Sequence, residues 1–375
     1  MTQHVFFIPG FFGFSSFGRL KYFRGVADVV RDELSRGGVE ARVTEIDTLP
    51  TASIRHRAAH LLRLISEQVS REPGPVHLVG HSTGGLDARL LVCPTADLQT
   101  DAKLDTYERV RTVVTVATPH YGTPLADAFG SAFGRPALRL MAVLLVYLVT
   151  HGRLPFKVVL TGGRWLTRLD DVVGLQDTVA DELFDELLAD LGDEEREQLL
   201  GFLRGVQNDQ SLLSQLTGAG VDLLNATTAK PDHLSYGSVA TLGGAAILKN
   251  AWSLSADVYA QSLHAVYTGL HALTSRTDEA WLPVLSPEAG SVFLRDLGRL
   301  PTPKDNDGVV PTRSQVWGEL IGAAHADHLD VVGHFRDESS GSRSDWFPSG
   351  SGFSRGEFER LWRQVARFIL PQTLG

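Results

Sequence analysis

The fold is decided by residues 76–88, which read VHLVGHSTGGLDA. An apolar run of strand length enters Gly80-His81-Ser82-Thr83-Gly84, and a segment with helical periodicity and small residues follows it. A G-x-S-x-G sequence in this setting is typical of a nucleophile elbow, where a sharp strand-to-helix turn exposes the serine hydroxyl. Ser82 is therefore a candidate nucleophile. The alternative is a Gly-rich turn of a nucleotide-binding fold, but the glycine spacing matches no phosphate-binding fingerprint.

The rest of the chain repeats the alternation of strand and helix. Strands are predicted at Val5–Ile8, Val39–Ile46, Val76–Val79, Val110–Ala117 and Tyr236–Thr241. Helical spacing of apolar residues is found at 26–34, 54–69, 83–92 and 356–370. Strand, helix, strand at these lengths implies crossover connections. We therefore predict the α/β class, with a mostly parallel central sheet flanked by helices.

The domain organisation is predicted as one core with an inserted cap. The core comprises 1–130 and 206–375, the helical cap or lid 131–205, and a candidate second excursion 242–303. Leu140–Val149 is almost wholly apolar, and Asp181–Leu203 carries leucines on one side with a break at Gly192. Such faces must be buried against something. We expect the cap to lie over Ser82 and bind an acyl chain, the alternative being ordinary packing. Ser339–Ser354 is predicted as a surface loop.

Composition excludes several classes of protein. The 375 residues are 43% hydrophobic and 21% charged, which supports a sizeable core and excludes general disorder. A formal charge of −9, without long basic runs, excludes a typical nucleic-acid binder. Cys93 is the single cysteine, so neither an intrachain disulfide nor a Cys-rich zinc site can form.

The sequence shows no targeting segment, because Met1 is followed almost directly by the first apolar run. The longest apolar stretch, Ala137–Thr150, is broken by Arg139 and is shorter than the roughly 20 residues of a membrane span. The expectation is a soluble cytoplasmic protein with no transmembrane segment, or a secreted one if the chain is a processed form.

A glycine loop follows the first predicted strand and reads Ile8-Pro9-Gly10-Phe11-Phe12-Gly13. A serine esterase needs two backbone N–H donors for the oxyanion that forms during acyl transfer. One comes from the residue after the nucleophile, here Thr83, and the other from such a loop, here Phe11. The alternative interpretation of this segment is an ordinary β-turn.

An acid and a base are sought near the C-terminus, because a serine nucleophile needs an imidazole that is itself oriented by a carboxylate. The segment 305–311 reads DNDGVVP, and 325–330 reads HADHLD. The order Ser, Asp, His suits this fold type. Residue chemistry alone leaves His325, His328 and His334 as equal candidates.

Five motifs in this order resemble those of bacterial triacylglycerol lipases of the α/β-hydrolase fold. They are PGFFG at 9–13, VGHSTGGLDAR at 79–89, ATPHYGTP at 117–124, NDGVV at 306–310 and HLD at 328–330. The resemblance covers the core only, and it implies Asp307 as the acid, His328 as the base, and Phe11 and Thr83 as oxyanion-hole donors.

The chain also departs from that family. The oxyanion loop carries Pro9-Gly10 where the family usually has His-Gly, and the signal peptide and disulfide of secreted members are not seen. Many members bind a structural calcium through the position of Asp330, but the next ligand position is His334, a poor ligand for a hard cation. We therefore expect neither a metal nor a cofactor.

Together these features predict a serine carboxylic-ester hydrolase acting through an acyl-enzyme intermediate on an ester or lipid, with transient contact with a lipid interface. The same groups could act on a polyester, a thioester or a phospholipid acyl group, or transfer the acyl group to an alcohol. A non-enzymatic binding module is disfavoured, since every part of the machinery has a candidate residue.

Overall fold

The computed structural model describes most of the predicted core. The described residues are 2–13, 16–17, 20–100, 108–130, 192–244, 258–336, 345 and 347–370, with the single positions 143, 184, 185 and 189. Most of the predicted cap, including Leu140–Val149, and part of the second excursion therefore lie outside the described residues.

A six-stranded parallel sheet forms the centre of the molecule. Its strands are β1 (Gln3–Ile8), β2 (Ala41–Glu45), β3 (Val76–His81), β4 (Val110–Val116), β5 (Ser235–Thr241) and β6 (Glu319–Ala324). Their order is β2-β1-β3-β4-β5-β6, and every neighbouring pair is parallel. The predicted α/β class with a parallel sheet is confirmed. Two short segments, Ser16–Phe17 and Leu20–Lys21, form a separate antiparallel pair.

Helices connect and cover these strands. They are α1 (Val26–Arg36), α2 (Ile54–Arg71), α3 (Thr83–Leu91), α4 (Pro124–Gly130), α5 (Asp193–Asn208), α6 (Ser211–Gln215), α7 (Gly218–Thr227), α8 (Val258–Thr274), α9 (Pro287–Leu297) and α10 (Arg355–Ile369). Short 3₁₀ helices lie at Glu279–Trp281, Thr312–Gln315 and Asp330–Val332. Among the described residues, no helix is long and apolar enough to cross a bilayer.

The two faces of the sheet are covered by different helices. One apolar cluster joins α1 and α10 to the first face, and another joins α2 and α3 to the opposite face. On the first face, the Trp362 ring packs edge-on against Phe7 at 5.6 Å, and its Nε1 donates to the Val331 carbonyl. A capping box between Ser354 and Glu357 begins α10. The core is therefore a three-layer α/β arrangement.

The parallel sheet brings the carboxyl ends of its strands to one edge. The loops that leave β1, β3, β4, β5 and β6 all start there, and such an edge is where ligands bind in open α/β sheets. The Gly10 loop, Ser82 and the segment of His328 follow three of these strands. The predicted site residues therefore share an edge of the sheet.

Candidate active site

Ser82 occupies a strained turn between β3 and α3. Its backbone has φ 53° and ψ −129°, values that a non-glycine residue rarely adopts. A Cβ atom at Gly80 would lie 2.4 Å from the Gly84 carbonyl oxygen, and one at Gly84 would lie 2.4 Å from the Ile8 carbonyl oxygen. Only glycine fits at either position. The turn has the geometry that the G-x-S-x-G pattern predicts.

The loop after β1 passes directly over Ser82. A Cβ atom at Gly10 would lie 2.6 Å from Ser82 Cβ, so the loop can approach this closely only without a side chain. The Gly10 N–H donates to Tyr22 Oη and the Phe12 N–H donates to the Pro50 carbonyl. Between them, the Phe11 N–H has no hydrogen-bond partner among the described residues. It is free to serve a ligand.

The same loop is also a turn, as the alternative interpretation proposed. The Gly13 N–H donates to the Gly10 carbonyl at 3.1 Å, and both Phe12 and Gly13 have positive φ. The turn and the oxyanion-loop interpretations are compatible. On the other side of Ser82, Thr83 is the first residue of α3, where backbone N–H groups have no partner within a helix.

Asp307, in the connection between β5 and β6, meets His328, which follows β6. His328 Nδ1 lies 2.8 Å from Asp307 Oδ2, and the His328 backbone N–H donates to the Asp307 carbonyl at 3.0 Å. Both side chains are almost completely buried. The contact orients the imidazole, because the carboxylate fixes which ring nitrogen carries the proton.

The carboxylate of Asp307 is held by four further hydrogen bonds. Oδ1 accepts from the backbone N–H groups of Val309 and Val310, while Oδ2 accepts from Thr241 Oγ1 and Gln315 Nε2. Thr241 ends β5, and Gln315 ends the 3₁₀ helix Thr312–Gln315. The acid therefore has a fixed position before any substrate arrives. Thr241 and Gln315 were not predicted from the sequence.

The competing candidates point elsewhere. His325 Nε2 contacts the Leu297 carbonyl, and His334 Nε2 contacts the Tyr22 carbonyl. Asp305 forms an ion pair with Arg299, with 2.6 Å between Nη1 and Oδ2. Of the three histidines left open by residue chemistry, His328 is the one beside Asp307.

Tyr22 and His81 form a buried link that the sequence analysis missed. Tyr22 Oη lies 2.7 Å from His81 Nδ1, and His81 Nε2 lies 2.9 Å from the His328 carbonyl oxygen. Burial and the neighbouring His328 lower the pKa of His81 well below its ordinary value. Burial likewise raises the pKa of Tyr22. Both side chains are therefore neutral at physiological pH.

Arg57 was also missed, although its position carried a signal. It falls on the face of α2 that presents Ile54, Ala58 and Leu61 to the core, where a charged residue is unexpected. The guanidinium is fully buried and pairs with Asp87 at 2.7 Å. Because a buried charge must be paired or hydrogen-bonded, an arginine on the apolar face of a helix indicates that acceptors lie nearby.

Three carboxylates close to His328 could hold a cation. Asp327, Asp330 and Asp345 place their oxygens within 4.8 Å of one another, and an all-oxygen donor set suits a hard ion such as calcium. Burial and the charge of Asp345 raise the pKa of Asp330 to about 8, and burial raises the pKa of Asp345 to about 6. The family resemblance places a second calcium ligand at His334, whereas the carboxylates that lie beside Asp330 are those of Asp327 and Asp345.

Hydroxyl groups from the predicted surface loop also serve this cluster. Ser349 Oγ donates to Asp327 Oδ2, and Ser351 Oγ donates to Asp330 Oδ2, each at 2.8 Å. Ser349 is buried. The prediction that Ser339–Ser354 lies on the surface is therefore wrong at this position, because buried carboxylates require hydrogen-bond donors.

Aromatic side chains lie beside the Gly10 loop. Phe11 packs against an apolar cluster formed by α2, α3, α4 and α6. The Phe12 ring lies 4.7 Å from that of Phe11 and 5.7 Å from that of Phe202 in α5. Helix α5 continues to Asn208, beyond the predicted cap boundary at 205. Its contact with Phe12 brings the end of the predicted insertion next to the candidate oxyanion loop.

Comparisons with known proteins identify the fold. No family model and no curated protein matches the sequence. The structure is similar to that of the Staphylococcus hyicus lipase, with 15% sequence identity, coverage of 99% of this chain and 95% of that chain, and a TM-score of 0.50. It is similar to lipase 1 from Pelosinus fermentans, with 17% identity, coverage of 97% and 98%, and a TM-score of 0.51. The predicted α/β-hydrolase fold is thus confirmed.

Proposed function

We propose that this chain is a serine carboxylic-ester hydrolase of the lipase and esterase type. The observation that carries the proposal is the buried Asp307–His328 pair at the same sheet edge as the strained Ser82. A nucleophile elbow, an oriented imidazole and a backbone amide that has no partner among the described residues supply the three parts that acyl transfer requires. The names of the two similar structures support an ester or lipid substrate.

In the proposed mechanism, Ser82 Oγ attacks the ester carbonyl carbon while His328 Nε2 accepts the hydroxyl proton. Asp307 stabilises the imidazolium that forms, and it keeps its own charge. The C–O bond to the alcohol breaks as His328 returns the proton to the leaving oxygen. A water molecule, activated by His328 in the same way, then releases the acyl group from Ser82.

The backbone N–H groups of Phe11 and Thr83 stabilise the oxyanion in both tetrahedral intermediates. The Phe11 N–H belongs to the Gly10 loop and the Thr83 N–H to the first turn of α3. At that end of α3 the helix dipole also favours the negative charge of the oxyanion. No step needs a metal. A cation bound by Asp327, Asp330 and Asp345 would stabilise the segment around His328 and would have no part in the chemistry.

We also propose residues 131–205 as a cap on the core 1–130 and 206–375, with an apolar side facing the substrate. The Phe12–Phe202 contact supports this arrangement, since it joins α5 to the oxyanion loop. A cap of this kind favours acyl esters over charged substrates, and it is compatible with transient contact with a lipid surface.

The test is hydrolysis of p-nitrophenyl esters of graded chain length, combined with labelling by a fluorophosphonate probe. We expect turnover, labelling at Ser82 alone, and loss of both in a folded Ser82→Ala variant, by several orders of magnitude in kcat. Substantial turnover by Ser82→Ala would refute the nucleophile. A folded wild-type protein without turnover or labelling would instead favour a binding module.

A further inference from the structure

One chain of buried hydrogen bonds joins three separate parts of the proposed active site. The Gly10 N–H donates to Tyr22 Oη at 3.0 Å, Tyr22 Oη contacts His81 Nδ1 at 2.7 Å, and His81 Nε2 contacts the His328 carbonyl at 2.9 Å. We propose that Tyr22 and His81 are positioning residues, which hold the oxyanion loop, the nucleophile and the base in fixed relation. This inference rests on the proposed ester hydrolase function.

Each proton in this chain has one possible location. A carbonyl oxygen can only accept a hydrogen bond, so His81 Nε2 carries a proton and donates it to the His328 carbonyl oxygen. Nδ1 of the neutral ring is then an acceptor, so the Tyr22 hydroxyl donates to it. The Tyr22 oxygen in turn accepts the Gly10 N–H. The lowered pKa of His81 and the raised pKa of Tyr22 agree with this pattern.

Three members of this hydrogen-bond chain adjoin or belong to a residue with a proposed role, and Tyr22 connects them. Gly10 precedes Phe11, whose N–H is an oxyanion donor, and His81 precedes Ser82. The third point of attachment is the carbonyl of His328 itself, and the rings of His81 and His328 lie 4.7 Å apart. These three parts come from the loops after β1, β3 and β6. A displacement of about 1 Å between such groups can slow a reaction about 100-fold.

The segment that carries Tyr22 is itself anchored beside the base. His334 Nε2 donates to the Tyr22 carbonyl at 3.0 Å, and the Arg24 N–H donates to the Val332 carbonyl at 2.8 Å. A Cβ atom at Gly333 would lie 2.1 Å from the Arg24 carbonyl oxygen. These contacts hold Tyr22 in place. A positioning residue must itself be fixed in this way.

The same strand offers a matched control for a purely structural role. His77 lies four residues before His81 in β3, and it is equally buried. Its Nδ1 contacts Thr112 Oγ1 at 2.9 Å and its Nε2 contacts Gln3 Oε1 at 3.1 Å. Four residues of strand separate it from His81 by about 13 Å. Loss of either histidine removes two buried hydrogen bonds, but only His81 touches the proposed site.

The experiment compares Tyr22→Phe, His81→Asn and His77→Asn in the full-length protein. For each variant, kcat and KM are measured on a short p-nitrophenyl ester, well below the melting temperature, and kcat is expressed per Ser82 titrated by fluorophosphonate. We expect Tyr22→Phe and His81→Asn to lower kcat roughly 10- to 100-fold with KM changed less than about two-fold. His77→Asn should keep both constants while losing comparable thermal stability.

Wild-type kcat in Tyr22→Phe and His81→Asn would overturn the inference, as would an equal loss in His77→Asn. If His81→Asn does not fold, Tyr22→Phe decides the question, because it removes one oxygen atom and its kcat counts only titratable sites. Failure of the proposed function gives a different result, namely a wild-type protein that neither hydrolyses the ester nor reacts at Ser82.

Discussion

Arg57 and Asp87 form a completely buried ion pair behind the proposed oxyanion loop, with 2.7 Å between Nη2 and Oδ2. Nη2 also donates to the carbonyls of Pro9 and Gly10, at 3.3 and 3.1 Å. In a trans peptide the N–H points opposite to the C=O. Because Arg57 holds the Gly10 carbonyl, the Phe11 N–H is directed away from the guanidinium. The ion pair therefore links the α2–α3 layer to the orientation of the proposed donor.

The first prediction concerns the stability of this pair. Asp87→Asn should destabilise the fold by about 3–5 kcal/mol, because it leaves the buried Arg57 charge without its carboxylate. Urea unfolding measures the change. Asp28→Asn is the control, since Asp28 pairs with Arg31 on an exposed helix surface and should cost less than about 1 kcal/mol. Equal losses of unfolding free energy in the two variants would contradict this prediction. They would mean that the other acceptors of Arg57 satisfy its charge without Asp87.

The second prediction concerns the acid and base. Asp307→Asn and His328→Ala should each lower kcat about 10³- to 10⁴-fold, since one loses the orientation of the imidazole and the other loses the base. Kinetics on p-nitrophenyl esters measure the effect.

Asp305→Asn and His325→Ala are the matched controls. Asp305 pairs with Arg299, and His325 contacts Leu297 outside the proposed triad. Both variants should stay within a few-fold of wild-type kcat. If kcat falls further in Asp305→Asn than in Asp307→Asn, the acid would be Asp305. If it falls further in His325→Ala than in His328→Ala, the base would be His325.

Much of the sheet could be predicted from the sequence because its strands are short apolar runs bounded by turns. Five of the six strands were found in this way, and the exception is β6. Its sequence, ELIGAA at 319–324, begins with a charge and contains two bulky apolar residues beside a glycine and two alanines. Such a strand has a weak pattern, and it depends on α9 and β5 for its packing.

The groups that support the site were harder to predict, because their partners are distant in sequence or are backbone atoms. Tyr22 and His81 are 59 residues apart, and Arg57 binds carbonyl oxygens that every loop possesses. No spacing rule encodes such contacts. The complete triad could be predicted only with the help of the family resemblance, which indicated His328. Residue chemistry alone did not distinguish His328 from the other two candidate histidines.

The third prediction uses the buried histidine His77. Burial and the nearby charge of Arg111 lower its pKa to about 3, while in the unfolded chain the pKa is about 6.5. As the pH falls below 6.5, the unfolded chain binds a proton that the folded protein cannot accept. The contribution of His77 is therefore fully present above pH 6.5, and it falls by about 1.4 kcal/mol per pH unit until about pH 3.

Asparagine does not titrate, so His77→Asn removes this dependence. The destabilisation measured by urea unfolding at pH 8 should shrink by about 2 kcal/mol at pH 5. Measuring the difference between variant and wild type cancels the opposite contribution of the raised carboxylates Asp330 and Asp345, which favour folding at lower pH. A cost that stays constant with pH would show that His77 takes up a proton as readily in the folded protein as in the unfolded chain.

The last prediction concerns the acyl chain. If α5 belongs to a cap whose apolar side faces the substrate, Phe202 lines the acyl path next to Phe12. Phe202→Ser should then lower kcat/KM for long-chain esters much more than for acetate, because each buried methylene contributes at most about 0.8 kcal/mol. Leu223→Ser is the control, since Leu223 is 66% exposed on α7 and should leave the whole series unchanged. Equal losses for acetate and the long esters would mean that the Phe12–Phe202 contact only stabilises the oxyanion loop, and that the acyl chain binds elsewhere.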